Sequence, residues 1–192
     1  MHARKILLSV VAASVVVLFP ATSHGWKADT ISSLAEMNVS GPRVGMFAVL
    51  DNGPLYQELR KHKGDRAISQ FGWHFEIKTK ALAGGPSFLV EFVPLVAGVE
   101  YGLFIPSLSI PIGVRLPWGT EFGMGPSFAI GNSTTPVSSS IVFSVGHSFY
   151  CHGVGIPINL AFARGPAGNR IGLLAGYAIT RNVRKEVQRI PQ

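Results

Sequence analysis

The sequence predicts an all-β protein: a small antiparallel up-and-down β-barrel of about eight strands, with a short helix in its first long loop. Three observations predict it. From residue 69 to 180, apolar side chains alternate with polar or small ones at a period of two, almost without a break. That spelling belongs to strands with one apolar and one polar side. The charged side chains within these strands fall on one side. Finally, 87–180 holds only Glu91, Glu100, Arg115, Glu121, Arg164 and Arg170 as charged residues, too few to solvate a water-facing exterior of that length.

The first 25 residues read as a secretory signal peptide. Arg4 and Lys5 form a basic n-region. Residues 6–19 form an apolar h-region, shorter than the ~20 residues of a membrane-spanning helix. Pro20 interrupts the apolar run and so disfavours an uncleaved anchor. The small residues of Ala21-Thr22-Ser23 and Ser23-His24-Gly25 offer cleavage after Ser23 or after Gly25. No cysteine stands near this boundary to carry a lipid. About 167 of the 192 residues then remain, one domain's worth. They divide into an irregular segment at 26–41, the barrel at 42–180 and a basic tail at 181–192.

Within 26–41, Ser33-Leu34-Ala35-Glu36 has the form of a capping box and predicts a short helix. A first strand is expected at 43–50. Asn52-Gly53-Pro54 then opens a helix over 54–63, because proline suits the first helical position, Lys61 and Lys63 complement the C-terminal end of the dipole, and Gly64 suits the position just past it. Leu55 and Leu59, four apart, give that helix one apolar edge.

Seven more strands follow, at 69–81, 87–96, 103–116, 120–130, 137–150, 154–163 and 170–180. In the first of these, Phe71, Trp73, Phe75 and Ile77 share one face, and His74, Glu76 and Lys78 share the other. Phe122, Met124, Phe128 and Ile130 likewise oppose Glu121, Gly123, Gly125 and Ser127. His147 is the exception, since it shares the apolar face of its strand; a place near a membrane interface would let its polar tip reach water. Pro94, Pro106, Pro111, Pro126 and Pro157 lie inside strands. Each removes a ladder donor, so bulges, bends or edges are expected there.

A membrane admits only helices and closed barrels, and tilted barrel strands need about 9–11 residues with apolar-out, polar-in alternation. Most strands here meet that. The lumen is expected to be plugged, with a polar network of His74, Glu76, Glu91, Arg115, Glu121 and Arg170. Connections at 82–86, 117–119 and 151–153 are short and expected on the periplasmic side. Those at 51–68, 97–102, 131–136 and 164–169 are longer and expected outside.

The run Ile68-Ser69-Gln70-Phe71-Gly72-Trp73-His74-Phe75-Glu76, with Glu91-Phe92-Val93-Pro94-Leu95-Val96, Gly102-Leu103-Phe104-Ile105-Pro106-Ser107 and Gly123-Met124-Gly125-Pro126, resembles a group of hypothetical exported bacterial β-barrel proteins of outer-membrane type. The likeness spans about 43–180. It implies a fold and a compartment, the outer membrane, and no reaction. The last strand also resembles an assembly signal of such barrels, with Arg170, Gly172, Ala175 and Tyr177, which implies the outer-membrane assembly machinery as a partner. It departs from that pattern by running on to Gln192 instead of ending on an aromatic residue.

Function is less legible. Without Arg4 and Lys5 the charge balance is 15 basic against 10 acidic residues. The surplus gathers in the tail, at Arg181, Arg184, Lys185 and Arg189, and at Arg60-Lys61-His62-Lys63. Neither spot has interleaved aromatics, so no nucleic-acid partner is expected; lipid or lipopolysaccharide phosphates fit the charge. Cys151 is the only cysteine and excludes an internal disulfide. With His147 and His152 it is too sparse to specify a metal, and no cofactor is expected. His147 and Ser148 are adjacent on a strand, point to opposite faces, and so cannot pair as base and nucleophile. The expectation is a non-enzymatic outer-membrane barrel. Three alternatives remain open: a lipid-modifying outer-membrane enzyme, for which His74 with Glu76 and Glu91 would be the acid–base group; a soluble periplasmic barrel with its faces inverted, so that Phe71, Trp73, Phe75, Phe92 and Phe128 line an apolar pocket; and a structural subunit whose apolar faces meet a partner protein.

Overall fold

The structure, a computed structural model, describes residues 37–79, 85–130, 137–151 and 154–179. The leader, the capping box at 33–36 and the basic tail lie outside the described residues, as does His152.

The strands are β1 (Gly41–Val49), β2 (Ala67–Thr79), β3 (Ser87–Ala97), β4 (Ile105–Ser109), β5 (Ile112–Arg115), β6 (Thr120–Ala129), β7 (Ser138–Cys151), β8 (Val154–Arg164), β9 (Arg170–Gly176) and the short β10 (Ala178–Ile179). Every pairing is antiparallel, and each strand lies beside its sequence neighbour. β9 pairs with β8 on one side and β1 on the other, which closes the sheet into an eight-staved barrel. β4 and β5 together make one stave, and β10 extends the last one against β8.

The expected strand at 103–116 is thus two. The break falls at Ile110-Pro111, because Pro111 has no N–H to give the ladder. It is not a bulge. Val93 faces Ser109 on one side of the break and Val90 faces Ile112 on the other, so the register runs through unchanged. The Pro111 carbonyl still accepts from the Glu91 amide at 2.9 Å. Pro94, Pro106, Pro126 and Pro157 sit within continuous strands. Closure leaves no sheet edge for them to occupy, so each costs a hydrogen bond without ending a strand.

The two mouths differ. One is ringed by Val49, Ala67, Ala97, Ile105, Ala129 and Arg170, the other by Gly41, Thr79, Ser87, Arg115 and Thr120. The first is covered by helix α1 (Pro54–Lys61), with Pro54 in its first turn and Arg60 and Lys61 in its last. The expected helix end at 63 is two residues too long: Lys63 takes a positive φ of 57°, and the Gly64 amide closes the end on the Leu59 carbonyl at 2.8 Å. Leu59 is 0% exposed and packs on Phe47, Val49, Ile68 and Ala97, with Leu55 beside it. These rim residues point inward, so the apolar edge of α1 folds back over the mouth.

The far mouth has tight turns. In 116–119, the Leu116 amide bonds the Thr120 carbonyl at 2.7 Å, and Gly119 supplies the φ of 90° that the turn requires. Residues 37–40 lie across this mouth without regular structure, with Val39 buried.

Candidate functional site

Alternation decides which side chains enter the lumen. Even positions of β2 point inward, as do odd positions of β1, β3 and β6. All six residues expected in a lumen network do point inward, but they form two separate groups.

Five of them lie toward the far mouth. Arg115, 0% exposed, is the hub. Its Nη2 donates to Glu76 Oε2 and to Glu121 Oε2, both at 2.6 Å, and its Nε donates to Glu121 Oε2 at 2.9 Å. Its Nη1 donates to Glu76 Oε1 at 3.2 Å and to the Met37 carbonyl at 3.0 Å. Glu121 Oε1 accepts a bond from Asn159 Nδ2. Glu76 Oε1 accepts the Val39 amide at 3.0 Å and has Lys78 Nζ at 3.8 Å.

Next to this hub, Arg43 Nη2 donates to His74 Nδ1 at 3.1 Å and to the Val39 carbonyl at 2.7 Å. A guanidinium only donates, so Nδ1 accepts. A neutral imidazole then carries its proton on Nε2, which faces Glu91 Oε1 at 3.6 Å. Burying so much charge is costly unless each group is paired and hydrogen-bonded; Arg115, Glu76 and Glu121 meet that condition directly, while Arg43 and Glu91 are linked through His74. The inward charges near this mouth balance: Arg43, Lys78 and Arg115 against Glu76, Glu91 and Glu121. Such an arrangement seals and stiffens.

The sixth residue, Arg170, stands apart at the α1 end, where its Nη2 donates to Ser140 Oγ at 3.1 Å. Between it and the network lies a cavity of about 110 Å³, lined by Arg43, Gln70, His74, Glu91, Ser109, Ser127 and Arg170. At ~30 Å³ of liquid volume per water, it has room for a few waters. Leu89, Val93, Leu95 and Leu174 also point into the lumen, so its filling is less polar than the expected glycine and serine lining.

The outward face is the converse. Phe71, Trp73 and Phe75 are 49%, 44% and 50% exposed, and Phe88, Ile112, Phe122 and Phe143 are exposed with them. Phe92 and Phe128 share this outward side, so the inverted barrel with aromatics lining a pocket is not the arrangement this chain adopts. Among the described strand residues, the only ionised side chain at an outward position is Arg164, the last residue of β8. His147 is outward near the far rim, hydrogen-bonded through Nδ1 to the Thr120 hydroxyl at 3.0 Å and edge-on to Phe149. Ser148 points inward, so the two do not meet. Among the described residues no three His, Cys, Asp or Glu side chains gather as a metal site.

Sequence reasoning missed Arg43, Asn159 and the backbone of 37–39. Asn159 stood on the polar parity of its strand and could have been added. Arg43 was harder, because the inward side of β1 also carries Phe47 and Val49.

The fold and its interior define a class: a closed eight-stranded antiparallel barrel, apolar outside, with a buried ion network in its lumen. Comparison with protein-family models, with curated proteins and with solved structures finds no match for this chain.

Proposed function

We propose that this chain is a small integral β-barrel of a bacterial outer membrane, non-enzymatic, with its apolar belt against lipid. One observation carries the reading: the outward face of the described strands is continuous in large apolar side chains and holds no charge except Arg164 at one rim. In water such a belt would far exceed the few hundred Å² of contiguous apolar surface that monomers tolerate. Against hydrocarbon it is what a barrel requires. Trp118 and Tyr177, exposed beside the far mouth, suit the aromatic girdle of a membrane interface. The short connections and both ends of the described barrel gather at that mouth, which supports its placement on the periplasmic side. α1, with Arg60, Lys61, His62 and Lys63 exposed, then faces outward, where its charge suits lipopolysaccharide phosphates. The assembly machinery of that membrane would insert the barrel. The pairing of Glu76 and Glu121 with Arg115 supports a structural role for these two carboxylates over an acid–base one.

Cysteine scanning tests the orientation. With Cys151 replaced by serine, single cysteines across 71–78 are labelled with a membrane-confined maleimide. Positions 71, 73, 75 and 77 are expected to react and 72, 74, 76 and 78 to be protected. Equal labelling of both parities would refute the reading.

A further inference from the structure

Arg170 is the lumen cation that the balanced network leaves over. Beyond the bond to Ser140, the Phe47 ring stands 5.9 Å from its guanidinium carbon. Its Nε is buried without a hydrogen-bond partner, and so is Ser138 Oγ, two residues nearer the rim than Ser140. Among the described residues no carboxylate ion-pairs with Arg170.

The two residues that carry these groups, Arg170 and Ser138, line one cavity of about 460 Å³, between α1 and the adjoining ends of β4, β6, β7 and β9. That is within the ~300–1,000 Å³ usual for small-molecule sites. Its apolar walls include Leu55, Leu103, Phe104, Ile105 and Ile130. Phe104 is 72% exposed, and Ile130 is exposed with it, so the cavity runs from the outer surface of the barrel to the half-buried Arg170. The only carboxylate among its described lining residues is Glu58, already held by Lys61 at 3.0 Å and His62 at 3.7 Å. Arg170, Ile105 and Ala129 line both this cavity and the smaller one in the lumen, so they mark its inner limit.

A half-buried cation and a half-buried serine, each with unused hydrogen-bonding capacity, are stabilised by an anion. Apolar walls leading from them to the barrel exterior suit a hydrocarbon chain. We infer that this cavity binds a single-chain amphiphile with a carboxylate head, the head on Arg170 and Ser138 and the chain along Leu103, Phe104, Ile105 and Ile130. Membrane insertion does not require such a ligand, so the inference goes beyond the proposed function.

The test is calorimetric titration of the purified full chain held in amphipol, which avoids competing detergent. The probes are dodecanoate, dodecanol and acetate, at alkaline pH where the carboxyl head is ionised. Dodecanoate is expected to saturate one site. Losing a charge-assisted hydrogen bond is expected to weaken dodecanol, and dodecanoate binding by Arg170→Gln, about tenfold or more. The variant should also lose the preference for acid over alcohol. Ser138→Ala should show a smaller loss, and acetate no comparable affinity. Circular dichroism shows whether each variant is folded; if Arg170→Gln is not, the three probes on the native chain decide alone. Equal binding of dodecanoate and dodecanol, acetate binding as tightly as dodecanoate, or no saturable binding at all would overturn the inference. A native chain that binds dodecanoate but fractionates as a soluble protein would sink the membrane reading and leave this one standing.

Discussion

Arg115 Nη2 lies 2.6 Å from Glu76 Oε2, a bond between β5 and β2 that passes in front of the intervening strand β3. Thirty-nine residues separate the two in sequence. The contact ties two staves across a third on the lumen side, whereas closure itself is made by the ladder between β1 and β9. Truncating one member of a buried ion pair costs about 3–5 kcal/mol. Arg115→Ala should therefore lower unfolding stability by that order, measured by urea titration of the refolded barrel. Arg115→Met combined with Glu76→Gln and Glu121→Gln should recover much of the loss, because no buried carboxylate of the hub is then left unpaired. Equal stability of Arg115→Ala and the native chain would contradict the network's role.

The plug of α1 rests on Leu59. Leu59→Ala removes a fully buried side chain and should cost about 2–5 kcal/mol at that mouth. The opening should be local, since β-ladder pairing elsewhere does not depend on it. Limited proteolysis is expected to cut faster within 51–66 while the strands stay protected.

Phe75 points outward near the middle of β2. Phe75→Arg should destabilise the barrel in a bilayer by about 2–4 kcal/mol, as for a cation at the midplane. The same change on a water-facing surface stays within about 0.5 kcal/mol of neutral. Unfolding in lipid vesicles distinguishes the two.

Glu100 sits in the short helical turn Val99–Tyr101, outside the strands. Partial desolvation raises its pKa, but the Ser69 hydroxyl and amide, each donating to the carboxylate at 2.5 Å, outweigh it and hold the pKa below the ordinary 4.5. A carboxylate with a depressed folded pKa contributes stability above its unfolded pKa and loses it as pH falls through the folded one. Hydrogen-exchange protection of the Ser69 amide should therefore hold at neutral pH and fall below 4.5. Glu100→Gln should remove that dependence.

Parity carried most of what the sequence revealed. Phe71 to Lys78 alternates cleanly because one side of β2 faces outward and the other meets carboxylates and an imidazole. β3 was less legible, since Leu89, Val93 and Leu95 fill the lumen and both of its faces read apolar. Pro54 and Gly64 marked α1, but nothing local announced that it folds over a mouth. Six inward polar residues were legible as a set, whereas their partners were not. Which carboxylate meets Arg115 depends on curvature and register, and the cover over the far mouth works through the backbone of Met37 and Val39, which leaves no side-chain signature. Arg170 looked like one more member of the network. Its position at the other mouth, with no ion pair among the described residues, sets it apart.

The proposed location of the closed barrel is the outer membrane. The most direct measurement is fractionation of expressing cells, with the membrane pool run unheated and heated on a denaturing gel. Recovery in the outer-membrane fraction, with a band that shifts in mobility only after heating, is the predicted result. Recovery in the soluble periplasmic fraction with no heat-dependent shift would contradict it.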